Sequence, residues 1–289
     1  MQVLKKGMII NMTKKIMISV LALILFISLP VEASAKTYTT KTEVYNTIKK
    51  NLLSHTKQFT VVMNTKVMNQ IGRNADLFSK VAVLDDKSTP KDNDYLKLSV
   101  SSWRASWKWS SAGTTAKLTF SAAYRTNLSQ EKQVDARVQS IIKALELEDK
   151  TDYEKVKAIH DYIINETSYD RTLKKHSAYD ALINQSAVCD GYSLAAYRLF
   201  TEAGISTRII TGLAGGGAHS WNIVKVDGKW YNIDLTWDDP VTDSGEPVLR
   251  YDYFLKSTKD FKDHTRNSQF KTQAFIKKYP IAKENYATE

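Results

Sequence analysis

Val188-Cys189-Asp190-Gly191-Tyr192 runs into Leu194, Ala195, Tyr197, Arg198, Leu199 and Phe200, and this stretch decides how the second half of the chain is read. The apolar residues recur at helical spacing, which predicts a buried amphipathic helix with Cys189 in its first turn. The N–H groups of a first turn have no intrahelical acceptor and carry partial positive charge, so they stabilise a thiolate. Downstream lie three strand-like runs, Thr207 to Thr211, Trp221 to Val226 and Trp230 to Leu235, separated by glycine turns. Asp227-Gly228 between the last two signals a hairpin, because both central turn positions need positive φ. With the turn centred there, position 219 falls opposite position 236, and the side chains of 219 and 234 become diagonal neighbours on one face.

That register matters because His219 opens the second run and Asp234 closes the third. Of the five histidines, His219 alone follows a stretch of small residues, Leu213-Ala214-Gly215-Gly216-Gly217-Ala218, that leaves room beside a reacting centre. A neutral imidazole there can take a thiol proton and later return it to a leaving amine. An acid must hold that imidazole in one tautomer, and Asp234 has the position for it. Asp238 and Asp239 are alternatives, but Pro240 after them favours a turn or cap. His160 lies inside a helical pattern, and His55, His176 and His264 lie in polar stretches; all four read as solvated.

The blocks Val188-Cys189-Asp190-Gly191-Tyr192, His219-Ser220-Trp221-Asn222 and Trp230-Tyr231-Asn232-Ile233-Asp234-Leu235-Thr236-Trp237-Asp238-Asp239 together resemble the bacterial transglutaminase-like family, in which Cys, His and Asp occur in that order. The resemblance spans roughly Thr151 to Leu255. It implies an α+β fold with a papain-like core, the Cys189 helix packed on an antiparallel sheet. It also implies catalysis by Cys189, His219 and Asp234 through a thioester formed from an amide. The acyl group then passes to water, as in a peptidase or amidase, or to an amine, as in a crosslinking transglutaminase. Water favours the first. An oxyanion hole would use the Cys189 backbone N–H. Gln185, Tyr192 and Trp221 are candidates for a second donor or a substrate contact, with Asn184 and Tyr169 further back. A reading of a different class keeps the fold as a non-catalytic surface binding protein.

Ahead of this block, Val134, Val138, Ile141, Ile142 and Leu145 predict one helix, and the Thr151/Glu154 capping box starts another near Asp152. We place a boundary between residues 148 and 151, giving an accessory α+β domain over 36–150 and a catalytic domain over 151–289. In the accessory part, Leu96, Leu98 and Val100 alternate, and after a break so do Trp103, Ala105, Trp107 and Trp109. Two strands or one bulged strand fit, followed by a turn at Ser110 to Gly113 and a return strand through Leu118, Phe120, Ala122 and Tyr124. The tryptophan stripe reads as a sheet face packed on helices rather than as a glycan platform.

Lys14-Lys15, the apolar run Ile16 to Leu29 and the small residues Ala33-Ser34-Ala35 have the form of a signal peptide over 1–35, so export to the medium or the cell envelope is expected. The apolar run is too short for a stable span after processing. Removing residues 1–35 takes the net charge from +10 to +7. This excess suits anionic wall polymers or lipid headgroups as partners beside a protein or peptide substrate. The lysines are not gathered into blocks with aromatics, which argues against nucleic acid. One cysteine excludes an internal disulfide and makes an exported thiol either inert or reactive. Cys189 with one histidine falls short of a catalytic zinc set, and no calcium loop is present in the sequence, so neither a metal nor another cofactor is expected.

Overall fold

Cys189 begins a helix that is buried without interruption from Gly191 to Phe200, and the rest of the fold is arranged around it. The structure is a computed structural model that describes residues 36–72, 76–84, 89–240 and 248–287. The expected leader lies outside the described residues. Among the described residues no helix is long and apolar enough to cross a membrane.

The chain opens with β1 (Thr37–Tyr38), α1 (Lys41–Leu53), β2 (Gln58–Asn64), α2 (Thr65–Ile71), α3 (Leu77–Ala82) and α4 (Asp94–Ser99). A hairpin of β3 (Val100–Trp109) and β4 (Thr115–Tyr124) follows. These strands form a sheet of order β1-β2-β4-β3. Its inner residues, Leu118 and Phe120 among them, pack on Val44, Ile48 and Leu52 of α1. Trp103, Trp107 and Trp109 lie on the same side, half-buried against this core, as a sheet face packed on helices requires. Leu96 and Leu98, expected in a strand, lie instead in α4. The alternation there is only three residues deep, and one helical turn also buries Leu96, together with Tyr95. A register shift between Val100 and Ser102 marks the bulge that starts β3.

Next come α5 (Leu128–Ala144), α6 (Asp152–Glu166), β5 (Ser168–Tyr169), α7 (Ala178–Leu182), β6 (Ser186–Ala187) and α8 (Cys189–Glu202). The capping box at α6 is formed in both directions, with Glu154 N–H donating to Thr151 Oγ1 and Thr151 N–H donating to Glu154 Oε2. A second sheet is built from β7 (Thr207–Ala214), β8 (Gly217–Val226), β9 (Lys229–Ile233) and β10 (His264–Arg266), in the order β10-β7-β8-β9 and antiparallel throughout. The last helix is α9 (Gln273–Lys278).

The second sheet is covered on both faces. Val224, Val226, Tyr231 and Ile233 meet Leu194, Leu199 and Phe200 of α8, while Ile210, Trp221, Ile223 and Trp230 meet Phe261 and Phe270 from the C-terminal segment. Each large apolar side chain so buried contributes roughly 1.5–3 kcal/mol. Val134, Val138 and Ile141 of α5 share the α8 core with Val156, Ile159 and Ile163 of α6, across the boundary expected at residue 150. Residues 36–289 form one compact unit. Polar ties join its two halves. Asp94 of α4 takes both Arg208 Nε and Nη2 of β7, and Arg198 of α8 donates to Asp135 of α5.

Candidate active site

Cys189 is partly exposed at the first position of α8, after Val188 in extended conformation. Val188 supplies no side-chain cap, so the first-turn N–H groups are not taken by a capping oxygen. The β8–β9 ladder pairs Asn222 with Ile233 and Val226 with Lys229, which is the register expected from the Asp227-Gly228 turn. It places Asp234 diagonally from His219, and His219 Nε2 meets Asp234 Oδ2 at 2.6 Å. The Cys189 thiol acts electrostatically on the same imidazole, and with Nε2 on the carboxylate, Nδ1 is the atom left for sulfur. Burial alone would lower the pKa of His219. The bonds and charges of Asp234 and Cys189 outweigh burial and raise it to about 10. Burial likewise pushes Asp234 up, but the two imidazoles on it hold its carboxyl below the usual range.

The residues beside Cys189 and His219 are tied together as well. Asp190 Oδ1 accepts from Ser220 Oγ at 3.0 Å, linking the neighbour of Cys189 to the neighbour of His219. Its other oxygen faces Arg125 Nη2 at 2.9 Å and His176 Nδ1 at 3.1 Å. Helix and strand are thereby tied together beside Cys189 and His219.

The secondary candidates have other employment. Gln185 is exposed and donates to Glu166 Oε2 at 2.9 Å. The Tyr192 hydroxyl is buried against the Thr167 carbonyl and Asp239. Trp221 is 1% exposed and fills the outer-face core. The half-exposed indole beside His219 is that of Trp237, with ring centres 5.7 Å apart. Tyr169 is half-buried, and its pKa is raised first by burial and then by the charge of Cys189, which places the phenol within electrostatic reach of the sulfur. Asp238 and Asp239 are not surface turn residues. Asp238 is fully buried against His160, and Asp239, pushed up to about 6 by burial, bonds Tyr192.

Two histidines read from sequence as solvated are buried, His160 at 0% and His264 within a side chain 1% exposed. His264 Nε2 lies 2.8 Å from Asp234 Oδ2, so one carboxylate oxygen serves two imidazoles. Polar neighbours in the sequence hid both. His160 does fall in the buried phase of α6 with Val156, Ile159 and Ile163, a signal that was there to be read. The donor atoms of His219, Asp234 and His264 lie within 4.8 Å of one another and are, among the described residues, the grouping best placed to gather a metal. Their contacts are of hydrogen-bond length, and each imidazole proton has a carboxylate oxygen to go to.

A sequence profile of the Transglutaminase-like superfamily matches residues 139–235, the span that contains Cys189, His219 and Asp234. The chain carries a transglutaminase-like core. Over 139 residues it is 27% identical to the human kyphoscoliosis peptidase, covering 42% of this chain and 20% of that protein. It thus spans about a fifth of the length of the curated relatives it matches. Among solved structures, a TGase is 20% identical with a TM-score of 0.35, covering 46% of this chain and 44% of that one. A candidate cysteine protease from Cytophaga hutchinsonii is 18% identical with a TM-score of 0.33, covering 51% and 65%. The transglutaminase-like core here is the α8 helix on the β7-β8-β9 sheet, an α+β arrangement.

Proposed function

We propose that the protein is a cysteine-dependent amide hydrolase acting on protein or peptide substrates. The single observation that carries this is the series Cys189, His219 and Asp234, in which Asp234 bonds an imidazole acted on by the Cys189 thiol, with Cys189 at the start of a helix without a side-chain cap. His219 withdraws the thiol proton. The thiolate adds to an amide carbonyl, and the resulting imidazolium returns the proton to the departing amine. Water, deprotonated by the same imidazole, then cleaves the thioester. The oxyanion receives the Cys189 backbone N–H. Because Gln185 and Tyr192 are engaged elsewhere, Tyr169 is the side-chain donor we assign to it. The peptidase name of the mammalian relative supports hydrolysis over transfer.

The test is the rate of iodoacetamide alkylation of the mature protein from pH 4 to 9, parent against His219→Ala. Substantial reaction near pH 6 that is lost in the variant is the expected result. Slow reaction rising only towards the ordinary thiol range near ~8.5, alike in both proteins, would leave the fold as a binding module. Thioester partition to an added primary amine, measured by product mass, would show a crosslinking enzyme instead. We also propose export, on the strength of residues 14–35. Protein recovered from culture medium should begin at Lys36, and its retention in the cytoplasm would sink this reading.

A further inference from the structure

We propose that His264 is a positioning residue, a fixed donor that holds the Asp234 carboxylate in the plane that aims His219 at Cys189. This rests on the Cys189–His219–Asp234 reading above. Asp234 is 1% exposed and accepts four hydrogen bonds. Oδ1 takes the backbone N–H groups of Thr236 at 2.9 Å and Trp237 at 3.2 Å. Oδ2 takes His219 Nε2 at 2.6 Å and His264 Nε2 at 2.8 Å. The terminal torsion of an aspartate has broad, weakly defined minima, so the orientation of Oδ2 must be imposed from outside. The two backbone N–H groups anchor Oδ1, and of the two donors on Oδ2 His219 cannot be the fixed one, because that ring is the group to be aimed.

His264 has no such freedom. Its ring is enclosed by Phe261 with centroids 3.9 Å apart, Trp237 at 4.6 Å, Trp221 at 5.0 Å and Tyr253 at 5.4 Å. Among the described residues, its buried Nδ1 has no hydrogen-bond partner. For packing alone this is a poor choice, since an aromatic hydrocarbon would fill the same box without an orphaned polar atom. The end of the ring that is satisfied is the one on Asp234. The titratable groups around it are Asp234, His219 and Tyr253, whose hydroxyl donates to Asp263.

The backbone shows how the ring gets there. β10 is three residues long and pairs His264 with Ala214 at the sheet edge. It can approach because residue 212 on β7 is glycine. A Cβ at that position would lie 2.0 Å from the Thr265 carbonyl oxygen. The edge strand therefore docks against bare backbone and delivers the imidazole into the aromatic box.

Two measurements test this. With 15N-labelled histidine, long-range proton–nitrogen correlation at neutral pH should place the His264 proton on Nε2. A proton on Nδ1 alone would remove the donor and overturn the proposal, without any substitution. In the alkylation assay, His264→Phe should react about tenfold more slowly than the parent near pH 6 and at the parent rate near pH 9.5, where the thiol ionises unaided. His264→Gln, which presents an N–H at nearly the same place, should recover the parent profile to within about twofold. A His264→Phe profile that superimposes on the parent's refutes the positioning role. If the parent is sensitive to His219→Ala but blind to His264→Phe, only this inference fails. If it is blind to both, the catalytic reading fails first.

Discussion

His160 and His219 are both buried imidazoles whose Nε2 faces an aspartate in the segment ending β9 and following it, Asp238 for one and Asp234 for the other. They differ at the second nitrogen. His160 Nδ1 lies 3.0 Å from Asp161 Oδ1, so both ring nitrogens face carboxylates. His219 has the Cys189 thiol, not a second carboxylate, as the other group acting on its ring. A ring between two carboxylates is favoured in its protonated form, and neither neighbour is a nucleophile that losing a proton to the ring would activate. A ring between one carboxylate and one thiol can move a proton towards either partner. Burial next to an acid therefore does not mark a catalytic histidine; what stands on the far side of the ring does.

Breaking each ring in turn should separate chemistry from stability. His219→Ala should lower kcat for amide hydrolysis by about 10³–10⁴, the upper range for loss of a general base, with little change in the unfolding midpoint. His160→Phe should do the reverse, costing about 3–5 kcal/mol in urea unfolding because the fully buried Asp238 loses its imidazole partner, while the folded protein keeps the parent alkylation profile. The pH dependence has a definite sign. Burial lowers the pKa of His160, but its bonds to Asp161 and Asp238 raise it above the ordinary 6.5. Its stabilisation is complete below that unfolded value and is lost as pH rises through the folded one. The deficit of His160→Phe should thus be largest near pH 5–6 and shrink at alkaline pH; a deficit that grows with pH would contradict the raised pKa of His160. Of these three substitutions, the smallest expected effect belongs to Tyr169→Phe. As the assigned oxyanion donor it should lose about 10² in kcat while alkylation is unchanged, which separates transition-state stabilisation from thiol activation.

How much of this was legible in the sequence follows from the range of the interactions involved. Cys189 at a helix start and Asp234 diagonal to His219 are set by neighbours within one turn or one hairpin, so spacing and the Asp227-Gly228 turn were enough. His264 reaches Asp234 from 30 positions away through an edge strand of three residues, and nothing in its polar surroundings signals the aromatic box. Asp238 and Asp239 were read from Pro240 as turn residues, because their partners His160 and Tyr192 sit on two other helices. In α4, the alternation of Leu96, Leu98 and Val100 was too short to tell one helical turn from a strand.

Arg125 closes β4's hairpin with its guanidinium on Asp190, next to Cys189, and its Nε on the Leu98 carbonyl. The residue that steadies the start of the Cys189 helix is thus contributed by a stretch lying outside the matched family span. Transplanting the family span alone into another protein would leave Asp190 without that guanidinium, Arg208 without Asp94 and Arg198 without Asp135. For this chain the unit of inheritance is larger than the unit of resemblance, and descent with a changed N-terminal half would require a new set of countercharges at those three positions.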